Sequence, residues 1–201
     1  CEDNLVYECG LAQGIERDLL VPFRYMGVAD TVDFRPLPWR NRRFDPTALE
    51  HAVVAEERIS AAFDAWHEHR GSRTLGFCVS QRHADVMASA FRARGVRAVA
   101  VHSGINSAPR HSSIDQLARG ELDMLFSVDM FNEGLDVPTI DTVLLLRPTS
   151  SPVVFLQQLG RGLRLSEGKT HLSAIDFIGN HKSFLSPARV LLGLGSNKPM
   201  S

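Results

Sequence analysis

A chain of 201 residues, 44% apolar and 22% charged, is long enough to bury a substantial core and has the make-up of an ordinary globular domain. Its net charge of −1 excludes a global field that would draw in nucleic acid or an anionic membrane, so contact with either must come from a local patch. No apolar run approaches membrane-spanning length, and no charged-then-apolar leader opens the chain. Cys1, Cys9 and Cys78 lack zinc spacing and point to a reducing, cytoplasmic setting without disulfides. The eight histidines form no ligand pair with a nearby carboxylate, so no metal site is expected. Nineteen of the 22 basic residues are arginine, the three lysines being Lys169, Lys182 and Lys198. The chain opens on Cys1-Glu2-Asp3 without an initiator methionine, which suggests a segment of a longer protein.

Residues 1–27 carry weak signals. Leu11 to Leu20 has room for a short helix, and Leu20-Val-Pro-Phe-Arg-Tyr25 reads as extended chain interrupted by Pro22. Thr31-Val-Asp-Phe-Arg35 alternates and predicts a strand. Pro36, Pro38 and Pro46 then stop regular structure. Between them, Trp39-Arg-Asn-Arg-Arg-Phe44 sets three arginines between aromatics, as in a loop that contacts phosphates or bases, though a solvated linker is the simpler reading. Asp45 followed by Pro46 predicts the start of one long helix running to about His69.

From there strands and helices alternate. Thr74–Val79, Arg97–His102, Asp123–Val128, Thr142–Leu146 and His171–Phe177 read as short apolar strands. Helices are predicted over Arg82–Arg94, with Gly95 after it, and Pro109–Arg119, ended by Gly120. A last amphipathic piece runs from Ser183 to Leu194. The fold class that follows is α/β: an open, doubly wound parallel sheet with helices on both faces and an N-terminal appendage. Ligands of such sheets gather at the carboxyl ends of the strands, which here means Ser80–Arg82, His102–Gly104, Asp129–Pro138, Arg147–Thr149 and Gly179–His181.

Two stretches carry the chemistry. The first is the loop Asp129-Met-Phe-Asn-Glu-Gly-Leu-Asp-Val-Pro138, where Gly134 permits close backbone approach and Asp136 offers a carboxylate suited to ribose hydroxyls. The second is Phe155-Leu-Gln-Gln-Leu-Gly-Arg-Gly-Leu-Arg-Leu165, whose apolar residues predict a helix. On such a helix Gln157, Arg161 and Arg164 share one polar face, and Gly160 and Gly162 each cost roughly 1 kcal/mol relative to alanine. Forked guanidiniums beside close-approach glycines suit polyphosphate; a surface helix whose arginines pair with carboxylates fits the same residues.

Gly134-x-Asp136 followed by Gln157-x-x-Gly160-Arg161-x-x-Arg164 resembles motifs V and VI of superfamily 2 helicases and translocases. Leu75-Gly-Phe-Cys-Val-Ser80 with His83-Ala84 looks like motif IV, and Val101-His-Ser-Gly104 like the next loop of the same domain, the one that faces nucleic acid. The resemblance covers about residues 72–180 and implies a second RecA-like motor domain of the P-loop NTPase superfold. Residues 46–201 would form that domain, and 1–45 the tail of a first motor domain with its connection; Leu20–Tyr25 is similar to that region in helicases of the type III restriction-subunit-like kind.

The family implies Arg164 as an arginine finger on the γ-phosphate of ATP, with Arg161 as its partner and Gln157 as a reporter of nucleotide state. It implies Asp136 and the Gly134 backbone at the ribose. Ser80, Gln81, Ser103, Gly104 and the start of the motif V loop would touch the phosphates of one strand of nucleic acid, with DNA expected ahead of RNA. Two departures stand out. Val128 occupies a position where many relatives carry a phosphate-contacting threonine, leaving Ser127 or Asp129 to substitute, and motif VI begins with glutamine rather than histidine. The chain contains no Gly-x4-Gly-Lys-[Ser/Thr] loop and no Asp-Glu-x-[Asp/His] tetrad, so ATP and Mg²⁺ would be held mainly by a first RecA-like domain of the same polypeptide, and this chain alone would be inert. A non-catalytic RecA-like module that binds nucleic acid or protein is the alternative.

Overall fold

The computed structural model describes residues 11–40, 43–128, 137–149 and 151–180. Five predicted strands form, the first four trimmed and the last shifted by one residue: β4 (Thr74–Phe77), β5 (Ala98–Val101), β6 (Met124–Ser127), β7 (Thr142–Leu145) and β8 (Leu172–Ile178). Upstream lie α1 (Leu11–Glu16), β1 (Phe23–Ala29), a two-stranded hairpin of β2 (Trp39–Arg40) and β3 (Arg43–Phe44), and helices α2 (Pro46–Val53) and α3 (Glu56–His69). Helices α4 (Gln81–Ala93), α5 (Arg110–Arg119) and α6 (Pro152–Gly160) connect the later strands. The main sheet has the order β1-β8-β7-β4-β6-β5, with every pairing parallel. It is the open, parallel α/β arrangement that the alternation predicts, and it agrees with the RecA-like fold that the motif resemblance implies.

Burial explains the strand sequences. Every residue of β4, β6 and β7 is buried, which only a sheet covered on both faces requires. Because successive side chains point to opposite faces, Leu75 and Phe77 join one core with Leu125, Val143 and Leu145, roofed by Leu117 of α5 and by Phe155 and Leu159 of α6. Met124, Phe126 and Leu144 join the other, roofed by Ile59, Ala62 and Trp66 of α3 and by Met87 and Phe91 of α4. Phe91 anchors that second core: its ring meets Phe63 and Phe126 edge-on at 5.2 and 5.1 Å and lies 5.3 Å from Trp66. The Trp66 indole N–H is satisfied by Thr74 Oγ1 at 2.9 Å.

Three local expectations are corrected. Thr31–Arg35 is a turn and not a strand, because aspartates bind backbone two residues on: Asp30 Oδ1 accepts from Val32 N–H and Asp33 Oδ1 from Arg35 N–H, each at 3.1 Å. The strand of this region is β1, which lies along β8 as an edge of the sheet, Phe23 opposite Leu172 through Ala29 opposite Ile178. The single helix expected over 45–69 breaks at Val54-Ala55, where Ala55 is extended. The break lets Val53 of α2 pack with Phe34 and Phe44 in a third cluster while α3 turns its own apolar face to the sheet. The arginine helix also ends sooner than predicted, as described below. The piece predicted over Ser183–Leu194 lies outside the described residues.

A buried ion pair ties these elements together. Arg58 of α3 and Asp30 after β1 have side chains 1% and 0% exposed. Arg58 Nε donates to Asp30 Oδ1 and Nη2 to Oδ2, both at 2.9 Å, and Nη2 also donates to the Leu146 carbonyl at 2.9 Å. Nη1 faces the Val53 carbonyl and His83 Nε2, each at 3.4 Å. Replacing Arg58 with alanine strands the Asp30 carboxylate, and urea unfolding is expected to show a loss of about 3–5 kcal/mol. His83 is buried beside this guanidinium, and desolvation together with Arg58 pushes it down to about 3 from its usual 6.5. The folded protein therefore refuses a proton that the unfolded chain accepts. The contribution of neutral His83 is complete above about pH 6.5 and is lost as pH falls towards 3. The stability difference between wild type and His83→Asn, followed by unfolding at several pH values, should shrink across that window.

Candidate nucleic-acid and nucleotide surfaces

Ser80, Gln81, Ser103 and Gly104 come together at the carboxyl ends of β4 and β5. Ser80 caps α4, its hydroxyl accepting from His83 N–H at 3.1 Å. The cap turns Gln81 outward, and its side-chain amide donates to Ser103 Oγ at 3.0 Å. Gln81 and Ser103 are exposed, while Ser80 and Gly104 are half-buried. Gly104 has no room for a side chain: a Cβ there would collide with Gln81 Oε1 and lie 2.9 Å from His102 Nδ1. The loop thus presents hydroxyl, amide and backbone groups on one patch beside fully exposed Ile105, a set suited to holding phosphate oxygens without reading bases.

His102 and Asp85 form the support that the sequence did not reveal. His102 is buried; its Nδ1 accepts from Gly104 N–H at 3.0 Å, and its Nε2 lies 3.0 Å from Asp85 Oδ1. The first bond requires a lone pair on Nδ1, so the proton sits on Nε2 and is donated to Asp85. His102 N–H in turn donates to Ser107 Oγ at 2.9 Å, closing the loop from its other side. The available signal was that Asp85 stands four residues after Gln81, on the same face of α4.

Ser127 is placed differently. It ends β6, between β4 and β5, and is 1% exposed, with no hydrogen-bond partner for its hydroxyl among the described residues. It lies beneath the patch and not on it. Asp129, Gly134 and Asp136 lie outside the described residues.

The arginines occupy the opposite end of the strands. Ser151 caps α6 through Val154 N–H, Pro152 takes its first turn, and Phe155 and Leu159 face the core while Gln157 is exposed. The helix then stops at Gly160, so Gly162 and Arg164 are not inside it and Gln157, Arg161 and Arg164 do not line one helical face. Tight turns replace it, with Arg161, Gly162 and Leu163 N–H groups each reaching a carbonyl three residues back. Tertiary packing causes the stop. A Cβ on Gly162 would collide with the Leu172 side chain at the start of β8, and the Leu163 carbonyl accepts from Val21 N–H at 2.9 Å, just ahead of β1. Arg161 and Arg164 are both half-buried. Gly162→Ala must push Leu172 out of a filled core. An overpacking loss of about 1–3 kcal/mol is expected in thermal or urea unfolding.

Among the described residues no three His, Cys, Asp or Glu side chains converge as a metal site, so none is assigned to Mg²⁺. No described helix is long and apolar enough to cross a membrane.

Comparison with known proteins accounts for this arrangement. The helicase conserved C-terminal domain profile matches residues 55–166, more than half of the chain. A protein of Saccharomyces cerevisiae named "Putative ATP-dependent helicase IRC3" is 29% identical over 199 residues, spanning 97% of this chain but only 29% of that protein. Among solved structures, an ATP-dependent Type ISP restriction-modification enzyme, LlaBIII, bound to DNA superposes with a TM-score of 0.63 at 20% identity, over 94% of this chain and 15% of that one. The C-terminal domain of the DEAD-box protein Dbp5 gives 0.60 at 14% identity, over 89% and 87% of the two chains. The chain belongs to the helicase conserved C-terminal domain family, as a RecA-like domain of the superfamily 2 type.

Proposed function

We propose that this chain is the second motor domain of an ATP-dependent nucleic-acid helicase or translocase, acting in the cytoplasm and inert by itself. The observation that carries the reading is the division into two surfaces: Ser80, Gln81, Ser103 and Gly104 at the carboxyl ends of the strands, and Arg161 and Arg164 at the amino ends of β8 and β1. A motor that couples hydrolysis to movement needs a grip and a trigger on one rigid body, and the shared sheet supplies that body. DNA is the proposed substrate, a reading supported by the DNA-bound Type ISP enzyme of similar fold.

The first RecA-like domain of the same polypeptide would hold ATP and Mg²⁺. Residues 1–45 would form the connection from it, with β1 docked at the edge of the second domain. When the cleft closes, Arg164 reaches the γ-phosphate and Arg161 supports it, both stabilising charge that develops on the transferring phosphoryl. Gln157, exposed on α6, senses that closure. Asp136 and the Gly134 backbone take the ribose. On the other surface the Ser80–Gly104 patch, with Asp129 beyond the end of β6 and without the buried Ser127, holds backbone phosphates of one strand, and opening and closing of the cleft moves that grip.

Full-length protein carrying Arg164→Ala is expected to bind nucleotide within a few-fold of wild type and to lose about 10³-fold or more in nucleic-acid-stimulated turnover. Equal turnover in mutant and wild type removes Arg164 from this role.

A further inference from the structure

Lys169, the one lysine among the described residues, is absorbed by none of the motifs, yet its ammonium is fully engaged. Its Nζ donates to three backbone carbonyls: Gly162 at 2.6 Å, Pro138 at 2.9 Å and Arg164 at 3.0 Å. An ammonium has three N–H donors, so all are committed and none is left for solvent or ligand. The side chain is half-buried and rises from a tight turn in which Lys169 N–H bonds the Ser166 carbonyl and Gly168 takes a φ of +74°. Desolvation draws its pKa down to about 8, partly opposed by Asp141, so the charged form still prevails at neutral pH.

The three carbonyls it gathers are informative. Gly162 and Arg164 flank Leu163 in the turn that carries the arginines, and Pro138 lies four residues ahead of β7. Three carbonyl dipoles aimed at one half-buried point repel each other unless a cation sits among them. We propose that Lys169 is a positioning residue for the nucleotide site: it locks the backbone on both sides of Leu163, sets the directions in which Arg161 and Arg164 leave the chain, and ties that turn to Pro138 ahead of β7. The inference rests on the reading of those arginines as acting on ATP. It adds the element that keeps the turn in register once the helix has stopped at Gly160. A guanidinium cannot substitute, because its planar fork spreads its donors outward and does not converge them on one nitrogen.

The test uses full-length protein and compares Lys169→Met, Arg164→Ala and the double variant in nucleic-acid-stimulated ATP hydrolysis. Methionine keeps the chain length and removes every donor. The expected result is a fall in kcat of about tenfold or more with the KM for ATP changed less than about threefold, since a misaimed transition-state contact costs turnover and not ground-state binding. In the Arg164→Ala background, adding Lys169→Met should lower kcat by no more than the contribution of Arg161, the one arginine left for the turn to position. A Lys169→Met protein with wild-type kcat, or one whose loss multiplies in full with that of Arg164→Ala, overturns the proposal. If Lys169→Met does not fold, Lys169→Arg, which keeps charge and bulk, takes its place with the same expected outcomes. A loss in Arg164→Ala without one at Lys169 overturns this inference alone; no loss in Arg164→Ala overturns the finger reading and this inference with it.

Discussion

The Arg58–Asp30 pair is the constraint on which the carboxyl edge of the sheet depends. Removing two charges from water costs several kcal/mol per ion, and the cost is offset only when every donor and acceptor is used. Here each guanidinium nitrogen is engaged: the carboxylate of Asp30 behind β1, the Leu146 carbonyl behind β7, and Val53 with His83 on the remaining side. The geometry is satisfied in only one arrangement of α3 against two strand ends that are not neighbours, since β8 lies between them. The Arg58 guanidinium also lies 5.6 Å from the centre of the Phe177 ring of β8, so the intervening strand is held as well.

That constraint reaches the functional patch through one residue. His83 meets Arg58 with Nε2, accepts from Val79 N–H with Nδ1 at 3.3 Å, and lends its own N–H to the Ser80 cap. A side chain held neutral by burial thus connects a charge pair in the core to the first turn of α4, where Gln81 reaches Ser103. The second half of the patch is held by an analogous device, in which His102 uses one nitrogen for Asp85 and the other for Gly104. In both cases an imidazole serves as a two-ended spacer, and at His102 the partners also set the tautomer, Nδ1 accepting from Gly104 N–H and Nε2 donating to Asp85. Loops that bind a flexible polymer gain affinity when they are ordered beforehand, and these two histidines supply that order.

The amino end of the sheet solves a different problem. Arg161 and Arg164 leave a turn that no longer has a helix to hold it, and its carbonyls must be satisfied elsewhere. Val21 N–H takes one and Lys169 takes two, while Gly162 allows the turn to press on Leu172. The turn is therefore defined by β1, β8 and the 166–169 segment together, which places the arginines relative to the sheet and not merely relative to α6.

Much of this was legible in the residues alone, because it depends on local periodicity and local caps. Apolar runs such as Thr74–Val79 and Thr142–Leu146 read as strands of a sheet covered on both faces, and Gly95 and Gly120 read as helix ends, where the structure gives them φ values of +85° and +75°. The pairing of Gly134-x-Asp136 with Gln157 to Arg164 at its given spacing identified the kind of domain. Tertiary structure alone decided the rest, because each remaining feature depends on a partner far along the chain. Asp30 turned the predicted strand at 31–35 into a turn while its charge was claimed by Arg58, 28 residues on. Val53 broke a helix that propensity favoured in order to join Phe34 and Phe44. The arginine stretch reads as helix through Leu165, yet it gives way at Gly160 to the demands of Leu172 and Val21, and Lys169, 31 residues from Pro138, looks in sequence like any solvated surface charge. Helical and strand periods are written in neighbouring residues; the burial of a charge is settled only where distant segments meet.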